Sequence, residues 1–241
     1  MSSILDQQGY ETLQAISDAK AFNKWMYDTI APYLKGAVIE IGSGIGNISE
    51  HLLTKADSVY LTDLDQAYCD ILKQKFGTLP NTAGISQVDL VSPEFELQYR
   101  NLINRFDSLI ALNVIEHIEN DDLAISNAIQ LIKPGGQLII LVPAYQFLYN
   151  KIDKKLSHYR RYTKKSLTTL LGKHSDIIHN QYFNLSGIPG WFVSGGFLNN
   201  DTVKPSQMSL FNKLVPVFKI ADKVTFNQAG LSVIAVSKKA V

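Results

Sequence analysis

Three features of the sequence lie where short apolar runs end, and together they could hold a small charged ligand. The glycine run 42–46 follows the apolar segment 37–41, and glycine lets a backbone approach a ligand closely and adopt positive φ. Glu40 lies inside that segment, where a carboxylate is costly unless a cation or a hydrogen-bond donor accompanies it. Asp63 ends the next apolar run and could accept hydrogen bonds from ribose hydroxyls. The set predicts a site for a ligand that carries a cationic group and a ribose.

Each of these features also has a purely structural explanation. The glycine run could be a tight turn between a strand and a helix, and backbone amides could satisfy Glu40. Asp65 competes with Asp63 for a ribose, although its position at a predicted helix start is typical of a capping acid. The spacing Gly-x-Gly-x-Gly differs from the Gly-x-Gly-x-x-Gly of nicotinamide proteins, and Glu40 would repel a pyrophosphate. The pattern therefore favours a cationic ligand over a dinucleotide.

Alternating strands and helices must position these residues. Near-continuous apolar runs predict strands that are buried on both faces at 37–41, 58–62, 107–112 and 137–142. A weaker strand is predicted at 84–88, and 176–183 and 231–238 are the remaining strand candidates. Apolar residues three and four apart predict helices at 18–34, 47–53, 66–76 and 121–132, the last of which stops at Lys133-Pro-Gly-Gly136. Repeated alternation of this kind predicts an α/β fold with a doubly wound sheet.

The chain is expected to form a single domain over residues 1–241. We predict a leading helical segment at 1–35, a core sheet at 36–184 and 229–241, and an inserted cap at 185–228. The cap segment is rich in glycine, proline, asparagine and aromatic residues. It could line an apolar pocket, touch a membrane surface, form a dimer contact or pack against the sheet edge.

Composition and charge narrow the function classes. With 23 basic and 22 acidic residues the net charge is +1, which argues against a dedicated nucleic-acid binder. The single cysteine excludes an internal disulfide and a cysteine-rich zinc site, and the sequence predicts no metal. Because no long apolar stretch or leader peptide is recognised, we expect a cytoplasmic protein. Peripheral membrane contact and the oligomeric state are left open.

Several short motifs, taken in order, resemble those of class I S-adenosylmethionine-dependent methyltransferases. They are Glu40-Ile-Gly-Ser-Gly-Ile-Gly-Asn, Asp63, Asp89, Asn113-Val-Ile-Glu-His-Ile and Leu-Ile-Lys-Pro-Gly-Gly136, within roughly residues 36–145. The resemblance implies a Rossmann-like seven-stranded sheet, mostly parallel with an antiparallel last strand, plus a helical or irregular cap. It implies S-adenosylmethionine as cofactor and S-adenosylhomocysteine as product, with Asp89 or Leu90 by the adenine and Asn113 near the methionine end. The expected cofactor-binding residues are Glu40, Gly42, Ser43, Gly44, Gly46, Asp63, Leu64, Asp89, Leu90 and Asn113.

A second tract, His158-Tyr-Arg-Arg-Tyr162, resembles a bacterial branch of this family that carries a His-x-Arg-Arg-Tyr segment after the fifth strand. Members of that branch can occur beside or fused to glycosyltransferases, which implies a small-molecule, glycan or lipid-linked methyl acceptor and no nucleic acid. The expected acceptor-binding residues are Tyr145, Tyr159, Arg160, Arg161 and Tyr162. The alternative is a structural arginine that ties this segment to the sheet. His117 and His158 are candidate catalytic bases, although Glu116 and His117 could simply be a hydrogen-bonded pair.

Two other functions fit parts of the pattern. A nicotinamide-dependent oxidoreductase would share the sheet, but neither Tyr145 nor Tyr149 has the lysine four residues on that such enzymes use. A non-catalytic module could bind S-adenosylmethionine without turnover. No residue in the sequence fixes the acceptor atom as oxygen, nitrogen or carbon.

Overall fold

The computed structural model describes residues 7–193 and 205–241 and is built around a seven-stranded sheet. The strands are β1 Ala37–Ile41, β2 Ser58–Asp63, β3 Thr82–Gln87, β4 Phe106–Leu112, β5 Ile132–Pro143, β6 Asp176–Phe183 and β7 Ser232–Lys238. Their order across the sheet is β3, β2, β1, β4, β5, β7 and β6. Strands β1 to β5 pair in parallel, whereas β7 runs antiparallel to both β5 and β6. The predicted Rossmann-like sheet with its antiparallel last strand is confirmed.

Helices cover both faces of this sheet. They are α1 Gln7–Ser17, α2 Lys20–Ile30, α3 Ser49–Leu53, α4 Gln66–Phe76, α5 Phe95–Gln98, α6 Asp121–Leu131, α7 Lys151–Lys155, α8 Lys164–Leu171, α9 Gly187–Trp191 and α10 Pro205–Val224. Leu138 and Ile140 of β5 join a core shared with α6 and α8, while Ile139 and Leu141 join a core shared with α2. Because side chains alternate along a strand, a strand buried on both faces must be apolar throughout. This requirement explains the near-continuous apolar runs in the sequence.

The structure corrects two predicted boundaries. The predicted leading helix 18–34 is shorter, since α2 ends at Ile30 and a 3-10 turn follows at Ala31–Tyr33, with Pro32 in its first turn. A separate helix, α1, precedes it. Strand β5 begins at Ile132, within the segment predicted as a helix end and turn, because Ile132 already pairs with Phe106 of β4. Gly135 and Gly136 exchange backbone hydrogen bonds with Lys239 beyond β7, which extends the sheet there.

The segment predicted as a cap contributes helices and no strand among its described residues. Helix α10 packs Val215 into the core and leaves Leu210, Val217 and Val224 exposed on its outer side. Residues 1–6 of the predicted leading segment and 194–204 of the predicted cap lie outside the described residues. The division of the chain into core and cap therefore stays a prediction.

Membrane crossing is a separate question from membrane contact. Within residues 7–193 and 205–241, no helix combines the length and the apolar character that a bilayer span requires.

Candidate active site

The predicted site residues follow the carboxyl ends of the parallel strands, which meet at one edge of the sheet. The glycine loop follows β1, Asp63 ends β2, Asp89 follows β3, Asn113 follows β4 and Tyr145 follows β5. The chain runs from β1 outward to β2 and β3, then returns to place β4 on the other side of β1. In such sheets the reversal of strand order opens a crevice in which ligands bind. The fold therefore brings residues from five strands to one candidate site.

The glycine loop is packed too closely for larger residues. Gly42 has φ +69° and Gly46 has φ +89°, a region that side chains other than glycine rarely adopt. A Cβ atom on Gly42 would lie 2.4 Å from Cγ2 of Val114, and one on Gly46 would lie 2.3 Å from the ring of Phe76. The glycines thus allow the loop to approach the end of β4 and helix α4. Packing, as well as ligand approach, accounts for them.

Asp63 ties the end of β2 to the glycine loop. Its Oδ2 accepts a hydrogen bond from the Gly44 amide at 2.8 Å, and its Oδ1 accepts one from the Asp65 amide at 3.0 Å. A carboxylate can accept about four hydrogen bonds, so capacity remains for ligand hydroxyls. Burial raises the pKa of Asp63, and backbone donors partly offset that effect.

Asp65 has a different local role from Asp63. It precedes the first residue of α4, and its side chain accepts a hydrogen bond from the Ala67 amide at 2.9 Å. This is the arrangement of a helix N-cap. The geometry leaves Asp63 as the stronger candidate for a ribose, and that role stays a prediction.

Glu40 is buried inside the sheet beside the glycine loop. The pKa of Glu40 is raised from 4.5 to about 7. Burial is the main cause and the charge of Asp63 adds to it, while hydrogen bonds from Ser49 and Ser43 act in the opposite direction. Because the pKa is higher in the folded than in the unfolded chain, the protonated acid favours folding. That contribution is complete below pH 4.5 and is lost as the pH rises through about 7. A cation against Glu40 would favour the ionised form instead.

The residues expected near an adenine differ in what they can offer. Leu64 is 64% exposed immediately after Asp63, so its side chain is open to contact a flat ring. Asp89 accepts a hydrogen bond from the Val91 amide. The side chain of Leu90 is buried in the core, and its carbonyl accepts a hydrogen bond from Asn127, so it could support but not cover a ligand.

Asn113 occupies the turn directly after β4. Its φ is +56°, its amide donates to the carbonyl of Leu141 at 2.8 Å, and its side chain is exposed. Asparagine tolerates this left-handed backbone better than most residues. The exposed amide group therefore lies at the crevice, next to the glycine loop that packs on Val114.

The His-x-Arg-Arg-Tyr segment lies between the ends of β4 and β5. The Tyr162 amide donates to the Pro143 carbonyl at 2.8 Å, and the Tyr145 amide donates to the Tyr162 carbonyl at 2.7 Å. On the other side, the Tyr159 amide donates to the Glu116 carbonyl at 2.8 Å. The structure therefore brings the expected acceptor residues beside the candidate bases that follow β4.

Arg161 is turned into the protein. Its Nε donates to Asp153 at 2.8 Å, its guanidinium donates to the Ala144 carbonyl at 3.1 Å, and it lies over the ring of Trp191 at 4.6 Å. These contacts are those of the structural tie that the sequence left open as an alternative. A role for Arg161 in acceptor binding stays a prediction.

The other expected acceptor residues divide between inner and outer positions. The Tyr162 hydroxyl is buried and donates to Asp121, with which Arg160 also forms an ion pair at 2.7 Å. Tyr159 is largely exposed, and Tyr145 is half-buried with φ +63°. Tyr159, Arg160 and Tyr145 are therefore the members of this set that a ligand could reach most directly.

A cluster of ionisable side chains lies beneath this segment. Glu116 is fully buried, and burial raises its pKa to about 8, an effect that Arg161 opposes. The rings of His117 and His158 meet edge to face with centroids 4.6 Å apart, and His158 Nδ1 lies 2.8 Å from Asp153. One nitrogen or oxygen atom each from Glu116, His117 and His158 lies within 4.8 Å of the other two. The sequence predicted no metal here, yet these are groups that bind metals.

Comparison with known sequences finds a family that matches the donor half of the chain. Residues 39–138 match a family described as Methyltransferase domain, and this range includes the glycine loop, Asp63, Asp89 and Asn113. In this part the chain is similar to methyltransferases, as the motifs of residues 36–145 predict. The cofactor of that family is S-adenosylmethionine.

The individual relatives that the chain matches are distant. A protein of Methanococcoides burtonii, named as a probable ribosomal RNA small subunit methyltransferase A, is 29% identical over 60% of this chain and 47% of its own length. The chain thus spans about half the length of the curated relatives it matches. A phosphoethanolamine N-methyltransferase 2 structure from Haemonchus contortus, in complex with S-adenosylmethionine, has a TM-score of 0.58 at 16% identity, covering 91% of this chain and 52% of its own. The cyclase SpnF has the same TM-score and identity, with 90% and 81% covered. At these identities the structural likeness shows the fold alone.

The residues of the donor half fit the family cofactor. Glu40 supplies a buried carboxylate for an ammonium group, and Asp63 retains acceptor capacity beyond its two backbone bonds. The exposed Leu64 offers an apolar surface for a base. A cation, a diol and a flat ring are the three parts of S-adenosylmethionine that a protein must recognise. The donor set therefore suits this cofactor.

The sequence did not identify three parts of the site. Helix α1 lies on the glycine loop, since Asn47 donates to the Leu13 carbonyl at 3.0 Å and a Cβ on Gly44 would lie 2.8 Å from the Leu13 side chain. Asp153, which holds His158 and Arg161, sits in a lysine-rich helix that looks like an exposed face. The sequence indicates Glu116 only as a possible hydrogen-bond partner of His117. Two features of the sequence could have revealed these parts: the spacing of Tyr10, Leu13 and Ile16, which is typical of a helix, and the single acid Asp153 among the lysines of residues 151–155.

The single cysteine lies on the donor side of the sheet. Cys69 belongs to α4 and is fully buried, with its Sγ 3.8 Å from the Asp63 carbonyl oxygen. Burial raises the pKa of the thiol, which keeps it protonated and unreactive in the folded protein.

Proposed function

We propose that this protein transfers the methyl group of S-adenosylmethionine to a small-molecule, glycan or lipid-linked acceptor. One observation carries the proposal: the carboxylate of Asp63 accepts a hydrogen bond from the glycine loop at Gly44, beside the buried carboxylate of Glu40. The match of residues 39–138 to a methyltransferase domain supports the choice of cofactor. The acceptor half, on the other side of the crevice, is formed by the His-x-Arg-Arg-Tyr segment.

The chemistry requires placement more than strong acid or base catalysis. When bound, S-adenosylmethionine supplies an electrophilic methyl carbon, which forms a bond to the acceptor atom as its bond to sulfur breaks and the electron pair stays on sulfur. Glu40 would hold the ammonium group and Asp63 the ribose, and Asn113 would lie near the methionine end. Orientation alone can contribute about 7–11 kcal/mol to such a reaction.

The acceptor also loses a proton when the new bond forms. His117 lies in the turn after β4, and its ring meets that of His158, the first residue of the acceptor segment, so either imidazole could take that proton. His117 is exposed and reaches solvent, whereas His158 is buried and held by Asp153. Replacing His117 should therefore disturb the fold less than replacing His158.

The acceptor class rests on charge and on the resemblance of residues 158–162. A net charge of +1 gives little attraction for a polyanion, which argues against RNA, although three relatives are named for ribosomal RNA methylation. The exposed apolar side of α10, with Leu210, Val217 and Val224, would suit the hydrocarbon part of a lipid-linked acceptor. These features support the proposal without naming an individual compound.

Calorimetry tests the donor half directly. We expect the full chain to bind S-adenosylhomocysteine with a dissociation constant on the order of micromolar and NAD(H) without measurable heat. Binding of NAD(H) with none of S-adenosylhomocysteine would refute the proposal and favour the oxidoreductase. Binding of S-adenosylhomocysteine without methyl transfer to any acceptor would favour a non-catalytic module.

A labelled methyl donor tests the acceptor half. The panel should contain bacterial small metabolites, soluble glycans, lipid-linked glycans and small-subunit ribosomal RNA. Label transferred to one of the first three classes is the expected result. Label found in the RNA alone would contradict the proposed acceptor while leaving the methyl transfer intact.

A further inference from the structure

A buried carboxylate beneath the acceptor segment lacks a partner. Glu116 lies in the 3-10 turn Ile115–His117 after β4 and is 0% exposed. Across the described residues, neither of its carboxylate oxygens has a hydrogen-bond partner. Burying an unpartnered carboxylate is costly, and each such group in a native protein requires an explanation, of which a bound ion is one.

The other charged groups nearby are already paired with one another. Arg161 is bonded to Asp153 and to the Ala144 carbonyl, so its donors do not reach Glu116. The carboxylate of Asp153 accepts from both Arg161 and His158. Asp153 therefore takes the hydrogen bonds of both Arg161 and His158, and Glu116 receives none from either side chain.

His158 is held in the orientation of a metal ligand. Its Nδ1 lies 2.8 Å from Oδ1 of Asp153. Because an ionised carboxylate only accepts hydrogen bonds, Nδ1 donates to Asp153, and in the neutral ring Nε2 then carries the lone pair that a metal requires. A carboxylate that fixes the tautomer of a ligating imidazole in this way is a recurring feature of metal sites.

His117 completes the set on the solvent side. Its ring meets that of His158 edge to face, and its side chain is exposed, so an ion could enter from this side. The candidate ligand atoms of Glu116, His117 and His158 all lie within 4.8 Å of one another. Two ligands bound to one zinc ion at about 2.1 Å each can be at most about 4.2 Å apart. Small side-chain rotations would therefore close the site.

We propose that Glu116, His117 and His158 bind a divalent transition-metal ion of the zinc class. Two imidazole nitrogens and one carboxylate oxygen suit Zn²⁺ and Co²⁺ better than Mg²⁺, which prefers oxygen ligands. Three protein ligands leave a coordination position for water or for an acceptor heteroatom. With the ion bound, His117 and His158 are ligands and do not accept the acceptor's proton.

The experiment measures metal binding without any turnover. The full chain, freed of any polyhistidine tag and of metal by a chelator, is titrated with Co²⁺ while visible absorption is recorded. Equilibrium dialysis against Zn²⁺ gives the stoichiometry. We expect one ion per chain and an absorption spectrum of low-coordinate Co²⁺ that Zn²⁺ abolishes.

Matched variants locate the ion. Glu116→Gln keeps the volume but removes the charge, and His117→Ala changes an exposed side chain. Each should weaken Zn²⁺ binding by at least about tenfold. The control is His174→Ala, because His174 pairs with Asp122 away from the cluster. The control should bind Zn²⁺ as the unmodified chain does.

Either of two results would overturn the inference: no saturable binding of Zn²⁺ or Co²⁺, or equal affinity in both site variants and the control. If Glu116→Gln fails to fold, His117→Ala alone decides, since its side chain lies at the surface. Binding of S-adenosylhomocysteine is measured on the same samples. If the unmodified chain binds S-adenosylhomocysteine but neither Zn²⁺ nor Co²⁺, only the metal site is refuted; if it binds metal but not S-adenosylhomocysteine, only the proposed function is refuted.

Discussion

Replacing Asp63 tests the donor site most directly, because this one side chain serves both the loop and the proposed ligand. In Asp63→Ala the two hydrogen bonds to the amides of Gly44 and Asp65 are lost. Hydrogen bonds to a charged group contribute about 1.5–3 kcal/mol each, but the variant also removes a buried charge. We therefore expect a net loss of stability of about 1–3 kcal/mol. The affinity for S-adenosylhomocysteine should fall by about 1–3 kcal/mol, which is roughly tenfold to a hundredfold.

Two further variants separate the causes. Asp63→Asn keeps one acceptor oxygen but points an NH₂ group at one of the two amide donors, so it should resemble Asp63→Ala. Asp65→Ala removes the N-cap of α4 and should cost about 0.5–2 kcal/mol of stability without changing ligand affinity. Thermal unfolding without ligand and calorimetric titration with ligand give the two quantities independently.

The choice of ligand sharpens the assay further. Methylthioadenosine has the ribose but lacks the amino-acid part, so Asp63→Ala should weaken its binding as much as that of S-adenosylhomocysteine. Glu40→Gln should weaken the binding of S-adenosylhomocysteine alone. The reasoning is refuted if Asp63→Ala keeps the affinity within about twofold while Asp65→Ala loses it. That result would place the ribose on Asp65.

Three other predictions concern the same half of the protein. Without ligand, the stability should fall by about 3 kcal/mol as the pH rises from 4.5 through 7 because Glu40 must ionise, and urea denaturation of Glu40→Gln should lack this fall. Affinity for S-adenosylhomocysteine should change in the opposite direction and weaken below pH 7. Gly42→Ala should lower stability by at least about 1–2 kcal/mol from its positive φ alone. The new Cβ also clashes with Val114, so adding Val114→Ala should restore only the stability lost through that clash, as a thermal double-mutant cycle would measure. Asn47→Ala removes the hydrogen bond that ties α1 to the glycine loop at Leu13, so amide exchange over residues 7–17 should be faster than in the unmodified chain. Equal exchange rates would contradict a role for this contact.

The central strands of the sheet could be predicted from the sequence because β1, β4 and most of β5 are buried on both faces. A run such as Leu138–Val142 fits a doubly wound fold only as a strand inside the sheet, with alternate side chains in the two cores. The turn residues that follow each run mark where the strand ends. Strand β5 was predicted too short because Pro134 and Gly135 are typical of turns. Pairing of Ile132 with β4, a long-range contact, outweighed that local preference.

The donor half was easier to predict than the acceptor half for a physical reason. Glu40 and Asp63 stand out as acids at the ends of apolar strands, so their sequence context alone shows them. Asp153 lies among lysines in Lys151–Lys155, where a charge pattern is typical of an exposed helix. Its burial comes from contacts with His158 and Arg161, which the alternation of strands and helices does not reveal.

The fully buried Cys69 gives this protein a built-in reporter of local opening. Cys69 belongs to α4, and its sulfur is buried against the end of β2. A thiol reagent can therefore reach the sulfur only when α4 moves away from β2. The rate of labelling thus measures how often the donor half opens. A ligand that binds only the closed form slows labelling by the factor 1 + [L]/Kd, so the chain can report on its own ligand without any attached probe.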